Sequence, residues 1–410
     1  MSVGFIDKKA PILTGLMPEG AVSALLDYSV ALPASDLFFA TQENHVAVSV
    51  RHLGVIQMVS VLPAELGKRC LAYLKAMAGM DMTEQRRPLD GRWVREAPGT
   101  GRVDLRIGTI PTLHGEDFTI RLLGTSAQAA EVDKLGLSRR EQNELLAMLG
   151  VPSGLILVTG PTGSGKTTTL YACLKHLNDG KRKINTIEDP IEFAIPGIHQ
   201  SQVNPKVDVG FAELLRSVLR QSPDVIMIGE VRDPITAETA VRAANSGHLV
   251  LATLHAPVAA GAVQSMKSLG VHPHFLSSAL LGVVAQRLVR TLCRNCLVSF
   301  DLGDSPHSFE DVKPWLEAGE GEQIYGAKGC SECHQSGFGG RAGVFEIMRM
   351  NRELRRLVAD GRPTAEIRQR AIEDGFLELR RSALLKVARG ITSPEEILRA
   401  IPSEYLGLDD

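Results

Sequence analysis

The segment best suited to chemistry is a glycine-rich octapeptide, GPTGSGKT, at residues 160–167. It matches the pattern G-x-x-x-x-G-K-[ST] of a phosphate-binding P-loop. The apolar run at 155–159 predicts a buried strand before it, and the pattern at 168–177 predicts a helix after it. Glycines let backbone N–H groups close around phosphate oxygens, and the start of a helix adds partial positive charge.

We therefore predict that this loop binds the phosphates of a nucleotide. Lys166 is expected on the β/γ-phosphates and Thr167 on Mg²⁺. The alternative is a glycine-rich turn that contains a lysine by chance. The predicted nucleotide-binding residues are Gly160, Pro161, Thr162, Gly163, Ser164, Gly165, Lys166, Thr167 and Thr168.

Two carboxylates follow short apolar runs that predict central strands. Glu230 ends the sequence DVIMIGE, and Glu188 follows the run INTI. Open α/β sheets bind ligands at the carboxyl edge of their strands, so both side chains are candidates for that edge. Glu230 could hold Mg²⁺ through water or polarise the attacking water, and Glu188 could position that water or act as a general base. The alternatives are a solvated carboxylate for Glu230 and a structural turn around Asp189-Pro190 for Glu188.

Two histidines bracket another predicted strand, at 249–253. Seven residues along a strand separate His248 from His255 by roughly 23 Å, which excludes a shared metal ion unless the chain bends sharply. Phosphate sensing or water positioning is the functional interpretation of these histidines. An ordinary structural histidine is the alternative for each.

Four of the six cysteines form two C-x-x-C pairs, Cys293/Cys296 and Cys330/Cys333. Each pair is suited to tetrahedral thiolate binding, although the gap between the pairs is longer than in a standard zinc ribbon. Two pairs together favour one structural Zn²⁺, since four thiolates leave no open position for catalysis. A redox role for one pair is the alternative. Cys70 and Cys173 lie in helical patterns and are expected in the core.

Composition narrows the class of protein. A length of 410 residues indicates two to four domains, and a net charge of −2 gives no electrostatic reason to expect nucleic acid as a partner. The sequence contains no run of 18 apolar residues, so no membrane span is predicted. The first residues have no apolar signal-peptide region, so we expect a cytoplasmic protein whose cysteines are thiols or metal ligands.

The patterns predict an α/β fold with a P-loop (RecA-like) core, a smaller N-terminal α/β domain, a tetracysteine zinc segment and a helical C-terminus. In the first part we expect a strand at 45–51, a helical stretch at 62–80, and a hairpin from 104–110 and 118–123. In the core, the short apolar runs 184–187, 225–228 and 249–253 are typical of parallel strands covered on both faces. The expected boundaries are 1–124 for the N-terminal (PAS-like) domain, 125–134 for a linker, 135–290 for the P-loop ATPase core, 291–344 for the zinc segment and 345–410 for the helical region.

Four blocks together resemble the secretion ATPases that drive type II secretion and type IV pilus assembly. Besides the P-loop, residues 186–192 are similar to the family's Asp box, 219–233 to its Walker B region and 247–255 to its His box. The resemblance covers most of residues 30–400. It implies a homohexameric ring of two-domain subunits that binds ATP between the domains and works under a platform protein of the inner membrane.

The resemblance also implies roles for two arginines of the predicted hairpin, Arg106 and Arg121. They match family positions whose arginines approach the phosphates, as do those at 86, 87 and 92. An arginine arriving from a mobile domain can neutralise charge in the transition state. A solvated basic face is the alternative.

Three departures from the family pattern stand out. After His255 the chain has Ala-Pro-Val where the family usually has Thr-Asn-Asp, and SDLFFA at 35–40 lacks the His and Glu of the family's Ser-Asp-Ile-His-Ile-Glu. The hairpin has Gly115-Glu-Asp117 where Gly-Glu-Arg is common. About 30 residues precede the recognisable N-domain, so no long N-terminal adaptor domain is expected.

The sequence thus predicts a cytoplasmic, Mg²⁺-dependent ATPase motor, peripheral at the inner membrane through its partners, for secretion or pilus assembly. The alternatives are a retraction or conjugation motor of the same superfamily and a regulatory nucleotide-binding scaffold with low turnover.

Overall fold

The computed structural model describes residues 10–97, 101–123, 131–302 and 309–407. The chain divides into two compact units. One comprises Met1–Gln128 with Cys330–Ser336, and the other comprises Ala129–Gly329 with Gly337–Asp410. Most of the predicted linker, residues 125–130, lies outside the described residues.

The first unit is built on a six-stranded antiparallel sheet with strand order β3-β2-β1-β6-β5-β4. Helices α1 (Pro18–Ala31) and α2 (Ala64–Met77) contribute to one core with the alternate, buried residues of the strands, such as Val103, Leu105 and Ile107. The residues between them point to the opposite face. The strands are β1 (Asp36–Thr41), β2 (His45–His52), β3 (Val55–Pro63), β4 (Leu89–Ala97), β5 (Gly101–Thr112) and β6 (Gly115–Leu123).

The predicted strand at 45–51 and the predicted hairpin are confirmed in β2, β5 and β6. The helical stretch predicted at 62–80 was wrong at its start, because Leu62 and Pro63 end β3. Pro63 is the N-cap of α2, with an extended backbone that suits a strand end. The apolar pattern alone did not mark this change from strand to helix.

The second unit contains a seven-stranded sheet of order β15-β12-β7-β11-β10-β8-β9. All neighbours are parallel except β12 and β15, which are antiparallel. The predicted central strands are confirmed. The strands of this unit are β7 (Gly154–Thr159), β8 (Ile184–Glu188), β9 (His199–Gln202), β10 (Val225–Ile228), β11 (Leu249–Leu254), β12 (Leu280–Leu292), β13 (Val298–Asp301), β14 (Gln323–Gly326) and β15 (Phe338–Arg349).

Helices pack on both faces of this sheet. Alternate residues of β7 contribute to two cores, with Leu155 and Leu157 on one side and Ile156 and Val158 on the other. Two covered faces explain why the strands are continuous apolar runs. Among the described residues, no helix is both long and apolar enough to cross a membrane. The helices are α3 (Arg139–Leu149), α4 (Lys166–Leu177), α5 (Phe211–Leu219), α6 (Pro234–Asn245), α7 (Ala259–Ser268), α8 (Pro273–Ala279), α9 (Arg352–Ala359), α10 (Thr364–Glu373), α11 (Leu379–Ala388) and α12 (Pro394–Ala400).

The C-terminal part is helical from α9 onward. The expectation of helix from residue 345 was wrong for its first residues, since β15 continues to Arg349. Its residues 343–348 are all buried or nearly so, and a short apolar run on a covered strand cannot be told from a buried helix by periodicity.

Candidate nucleotide site

The phosphate loop connects the buried strand β7 to the start of α4 at Lys166, as the sequence predicts. Pro161, Thr162, Thr167 and Thr168 are exposed on it. The buried hydroxyl of Ser164 has no partner among the described residues. Exposed backbone and hydroxyl groups at a helix start suit phosphate and Mg²⁺, so the donor set of this loop fits both.

Gln286 supports this loop from the neighbouring strand. Ala285 on β12 pairs with Thr159 at the end of β7, so β12 continues alongside the loop. The Gln286 side chain donates to Ser164 O at 2.7 Å and accepts from Thr169 Oγ1 at 2.8 Å. Gly160 has a φ of 145°, and a Cβ there would lie 2.5 Å from Gln286 O. The first glycine of the motif is therefore required by contact with β12 as well as by its backbone conformation.

Lys166 folds over the loop. Its Nζ donates to Gly160 O at 2.8 Å and to Pro161 O at 3.1 Å. Burial lowers the pKa of Lys166, an effect that the Glu230 carboxylate opposes. Lys166 and Glu230 are thus close enough to interact electrostatically.

Glu230 follows β10 at the same carboxyl edge of the sheet. Its Oε1 lies 2.9 Å from Nε2 of His255, and Arg232 donates to Oε2. Burial opposes ionisation of this carboxyl, but Arg232, His255 and Lys166 outweigh burial and hold its pKa below the ordinary value. The structure therefore places a charged carboxylate beside the phosphate loop.

The residue before Glu230 is glycine because β8 lies close. A Cβ on Gly229 would stand 3.1 Å from Ile187 O, and the Gly229 N–H donates to that same oxygen at 2.8 Å. This close contact disfavours a side chain at position 229, where the second NTPase motif usually has Asp.

An open cleft of about 630 Å³ adjoins Glu230 and His255. One side of the cleft is formed by the segments that follow β10 and β11, and the other by α7. The lining residues are Glu230, Val231, Arg232, Leu254, His255, Gln264, Ser265, Ser268 and Leu269.

Glu188 has different surroundings, although it also ends a central strand. It is 3% exposed, and its Oε1 accepts from Thr186 Oγ1 at 2.5 Å and from Gln200 Nε2 at 3.0 Å. The Tyr171 hydroxyl donates to its Oε2. These contacts place Glu188 in a buried polar network, which does not support a direct role in activating water.

His248 lies at the opposite edge of the sheet from the phosphate loop. It precedes β11, and its O accepts the N–H of Gly154 at the start of β7. Its Nδ1 lies 3.0 Å from Ala243 O. Within one chain the structure therefore brings His255, but not His248, to Glu230.

Arg106 and Arg121 belong to the first unit, where they are directly paired across β5 and β6. They lie on the face opposite α1 and α2, in a row that Arg92 and Asp36 extend. Arg121 Nε donates to Asp36 Oδ1 at 3.2 Å. For Arg106, no ion pair with a carboxylate is found among the described residues. Among the described residues, Arg92 and Arg121 of this row form ion pairs with Asp104 and Asp36, and Arg106 forms none.

Comparison with known proteins identifies the family. The family model described as Type II/IV secretion system protein matches residues 18–399. The chain belongs to this family. The resemblance inferred from the four sequence blocks is thus confirmed.

The relatives are ATPases of two related machines. The chain is 41% identical to the Type II secretion system ATPase E of Vibrio cholerae over 378 residues, which are 92% of this chain and 74% of that protein. It is 39% identical to the Type IV pilus assembly ATPase PilB of Thermus thermophilus over 365 residues, 89% of this chain and 41% of PilB. The crystal structure of the pilus retraction motor PilT with bound ADP is also similar, with 26% identity, a TM-score of 0.62, and coverage of 93% of this chain and 96% of PilT.

The four cysteines of the two C-x-x-C pairs lie together in the structure. The Sγ atoms of Cys293, Cys296, Cys330 and Cys333 all lie within 4.8 Å of one another, and those of Cys330 and Cys333 are 3.7 Å apart. Tetrahedral Zn²⁺ with Zn–S bonds of about 2.3 Å separates its sulfur ligands by roughly 3.8 Å. The donor set and spacing therefore fit zinc. Cys70 and Cys173 are buried in α2 and α4, as expected.

The sequence reasoning missed three residues that support the site, namely Tyr171, Gln286 and Arg287. Gln286 and Arg287 are 1% and 5% exposed. Two adjacent polar residues inside the apolar run LLGVVAQRLV were a signal that could have found them, because buried polar groups are kept where they have partners.

Proposed function

We propose that this chain is a Mg²⁺-dependent ATPase that powers assembly of a type II secretion pseudopilus or a type IV pilus. The observation that carries the proposal is the Glu230–His255 pair beside Lys166 at the carboxyl edge of the P-loop sheet. Membership of a family with ATPase relatives in both machines supports it.

In this mechanism the phosphate loop binds ATP through its backbone N–H groups, and Lys166 exchanges its contacts with Gly160 O and Pro161 O for phosphate oxygens. Thr167 would hold Mg²⁺, which would supply positive charge to the phosphates in the transition state. Glu230 orients the attacking water and accepts its proton, and His255 holds the Glu230 carboxylate in place. Because its pKa is lowered, Glu230 is ionised and its carboxylate can accept a hydrogen bond from the water.

Arg106 and Arg121 are proposed to complete the site in a homohexamer. An arginine that is not already in an ion pair is suited to a developing phosphate charge. Among the described residues this condition is met by Arg106, whereas Arg121 is paired with Asp36. ATP hydrolysis then moves the domains, and the motion is transmitted to a platform protein at the cytoplasmic face of the inner membrane. Zn²⁺ at the four cysteines has a structural role, since every ligand position is a thiolate.

Replacing Glu230 by Gln tests the proposal. ATP binding should be retained, while turnover falls by roughly 10²–10³-fold, as expected when one transition-state contact is lost. The matched control is Glu238→Gln, which changes an exposed carboxylate paired with Arg242 on α6. Steady-state phosphate release and equilibrium binding of ATP measure the two effects. Wild-type turnover in Glu230→Gln would show that another group activates the water.

A further inference from the structure

The loop that carries His255 into α7 has no side-chain hydrogen-bonding group after His255 itself. Its residues after His255 are Ala256, Pro257 and Val258, none of which has a side-chain hydrogen-bonding group. His255 is nevertheless held 2.9 Å from Glu230. The side-chain hydrogen bonds that hold the backbone of residues 256–258 must therefore come from other parts of the chain; residues 255–258 are here called the His255 loop.

Three side chains from strands bind the backbone of the His255 loop and of the first residue of α7. Thr159 Oγ1 accepts the N–H of Ala256 at 2.7 Å. An Arg287 Nη2 donates to Pro257 O at 2.8 Å, and Glu346 Oε1 accepts the N–H of Ala259 at 2.7 Å. The loop is thus fixed at both ends and at its centre, and Arg287 supplies the central contact.

Arg287 is an unusual residue for such a contact, because it is a buried cation that donates to neutral carbonyl oxygens. Its side chain is buried on β12, and its other hydrogen bond goes from Nη1 to the carbonyl oxygen of Gln286 at 3.1 Å. Among the described residues no carboxylate is within ion-pair distance, and Glu346 acts only at longer range. Burying a cation with neutral acceptors costs free energy, so a gain other than local stability is expected to retain it.

The position of Arg287 connects the two loops of the site. Its neighbour Gln286 binds the phosphate loop, and Arg287 is close enough to Lys166 to lower the pKa of that lysine. The same stretch of β12 therefore holds the phosphate loop with one side chain and the His255 loop with the next.

We propose that Arg287 is a positioning residue for ATP hydrolysis, which holds His255 against Glu230 through the carbonyl oxygen of Pro257. This inference rests on the proposed function.

The test compares Arg287→Gln and Arg287→Lys with Arg355→Gln in the full chain. Arg355 is the matched control, because this partly buried arginine on α9 also donates to two carbonyl oxygens, those of Ser277 and Ser278, and has no contact with the His255 loop. Arg287→Gln should lower kcat for ATP by about 10–100-fold, the scale of a displaced catalytic group, with ADP affinity little changed. Arg287→Lys, which keeps a donor and a charge, should recover part of the loss.

A double variant separates positioning from general stability. If Arg287 acts through His255, Arg287→Gln combined with His255→Ala should be no more than about threefold slower than His255→Ala alone. Multiplication of the two losses would overturn the proposal, as would unchanged kcat in Arg287→Gln or an equal loss in Arg355→Gln.

Hydrogen–deuterium exchange gives a readout that does not need turnover. Amide exchange over residues 255–260 should be faster in Arg287→Gln than in wild type and unchanged in Arg355→Gln. Unchanged exchange in Arg287→Gln would refute the proposed contact. Failure of the proposed function itself would appear separately, as wild-type protein that binds ATP without hydrolysing it.

Discussion

Glu188 ends β8 and Glu230 follows the neighbouring parallel strand β10, yet their carboxylates have different surroundings. Glu230 is partly exposed and contacts two cationic or ionisable side chains, Arg232 and His255, beside Lys166. Glu188 is buried and accepts hydrogen bonds from the neutral groups of Tyr171, Thr186 and Gln200. A carboxylate at a strand end can thus be accessible to a ligand or fully engaged in buried hydrogen bonds. The donors around the carboxylate determine which of the two applies.

The difference also concerns what each carboxylate can bind. Arg232 and His255, the partners of Glu230, are exposed at an open cleft and can rearrange, whereas the contacts of Glu188 would have to break inside the protein. Breaking buried hydrogen bonds to a charged group is costly. We therefore propose a catalytic role for Glu230 and a structural role for Glu188.

The largest effect is expected for Lys166→Ala, which removes the cation near Glu230, the more exposed of the two carboxylates. Turnover should fall by about 10³-fold, because a preorganised charge on the phosphates is lost. Lys175→Ala is the control, since Lys175 lies on the same helix and pairs with the exposed Glu131 at 3.0 Å. Measurement of ATP turnover in both variants decides the matter, and near-normal activity in Lys166→Ala would contradict the assignment of the loop.

A smaller effect on activity, but a clear one on stability, is expected for Glu188→Gln. One of its donors would then face an amide NH₂ group, so the free energy of unfolding should fall by about 1–3 kcal/mol. Turnover per folded molecule should fall less than in Glu230→Gln. Denaturant unfolding and kcat measure the two quantities. Unchanged stability with a 100-fold loss of turnover, on the scale of a lost catalytic contact, would reverse the comparison.

Tyr171→Phe should have a weaker effect of the same kind. The change removes the donor to Glu188 Oε2 and leaves the ring in its edge contact with Phe193. A loss of about 1–2 kcal/mol is expected. In the double variant with Glu188→Gln, the loss of unfolding free energy should be smaller than the sum of the two single losses, because both changes affect the same hydrogen bond. Full additivity of the unfolding free energies would show that the hydroxyl and the carboxylate act independently.

The smallest effect is a pH dependence at a third carboxylate, Glu346. Burial raises the pKa of Glu346 to about 6, although the N–H groups of Ala259 and Leu379 oppose the shift. Between about pH 6 and the ordinary value of 4.5, the folded state binds a proton that the unfolded state releases. The stability due to this group should therefore increase as pH falls through 6, by on the order of 1–2 kcal/mol.

Comparing wild type with Glu346→Gln isolates this contribution from other titrating groups. The difference in unfolding free energy between the two proteins should shift in favour of wild type from pH 7 to pH 5. A difference that stays constant over this range would show that Glu346 has an ordinary pKa.

The sequence by itself determined the phosphate loop, because strand, glycine-rich turn and helix start are contiguous and their geometry is local. It also predicted the central strands, whose continuous apolar character reflects two covered faces. The cysteine pairs were recognisable for the same reason, since each pair is a local knuckle and only their meeting is a matter of the fold.

Only the tertiary structure decided what strand-end residues face. The parallel pairing of β7 and β11 puts His255 at the edge of the phosphate loop and His248 at the other edge. Side-chain direction at Glu188 depends on donors from α4 and β9, which are distant in sequence from the residues around Glu230. Gln286 and Arg287 act on the site because β12 extends past the end of β7. Such relations depend on strand order and register, which a local pattern of residues does not contain.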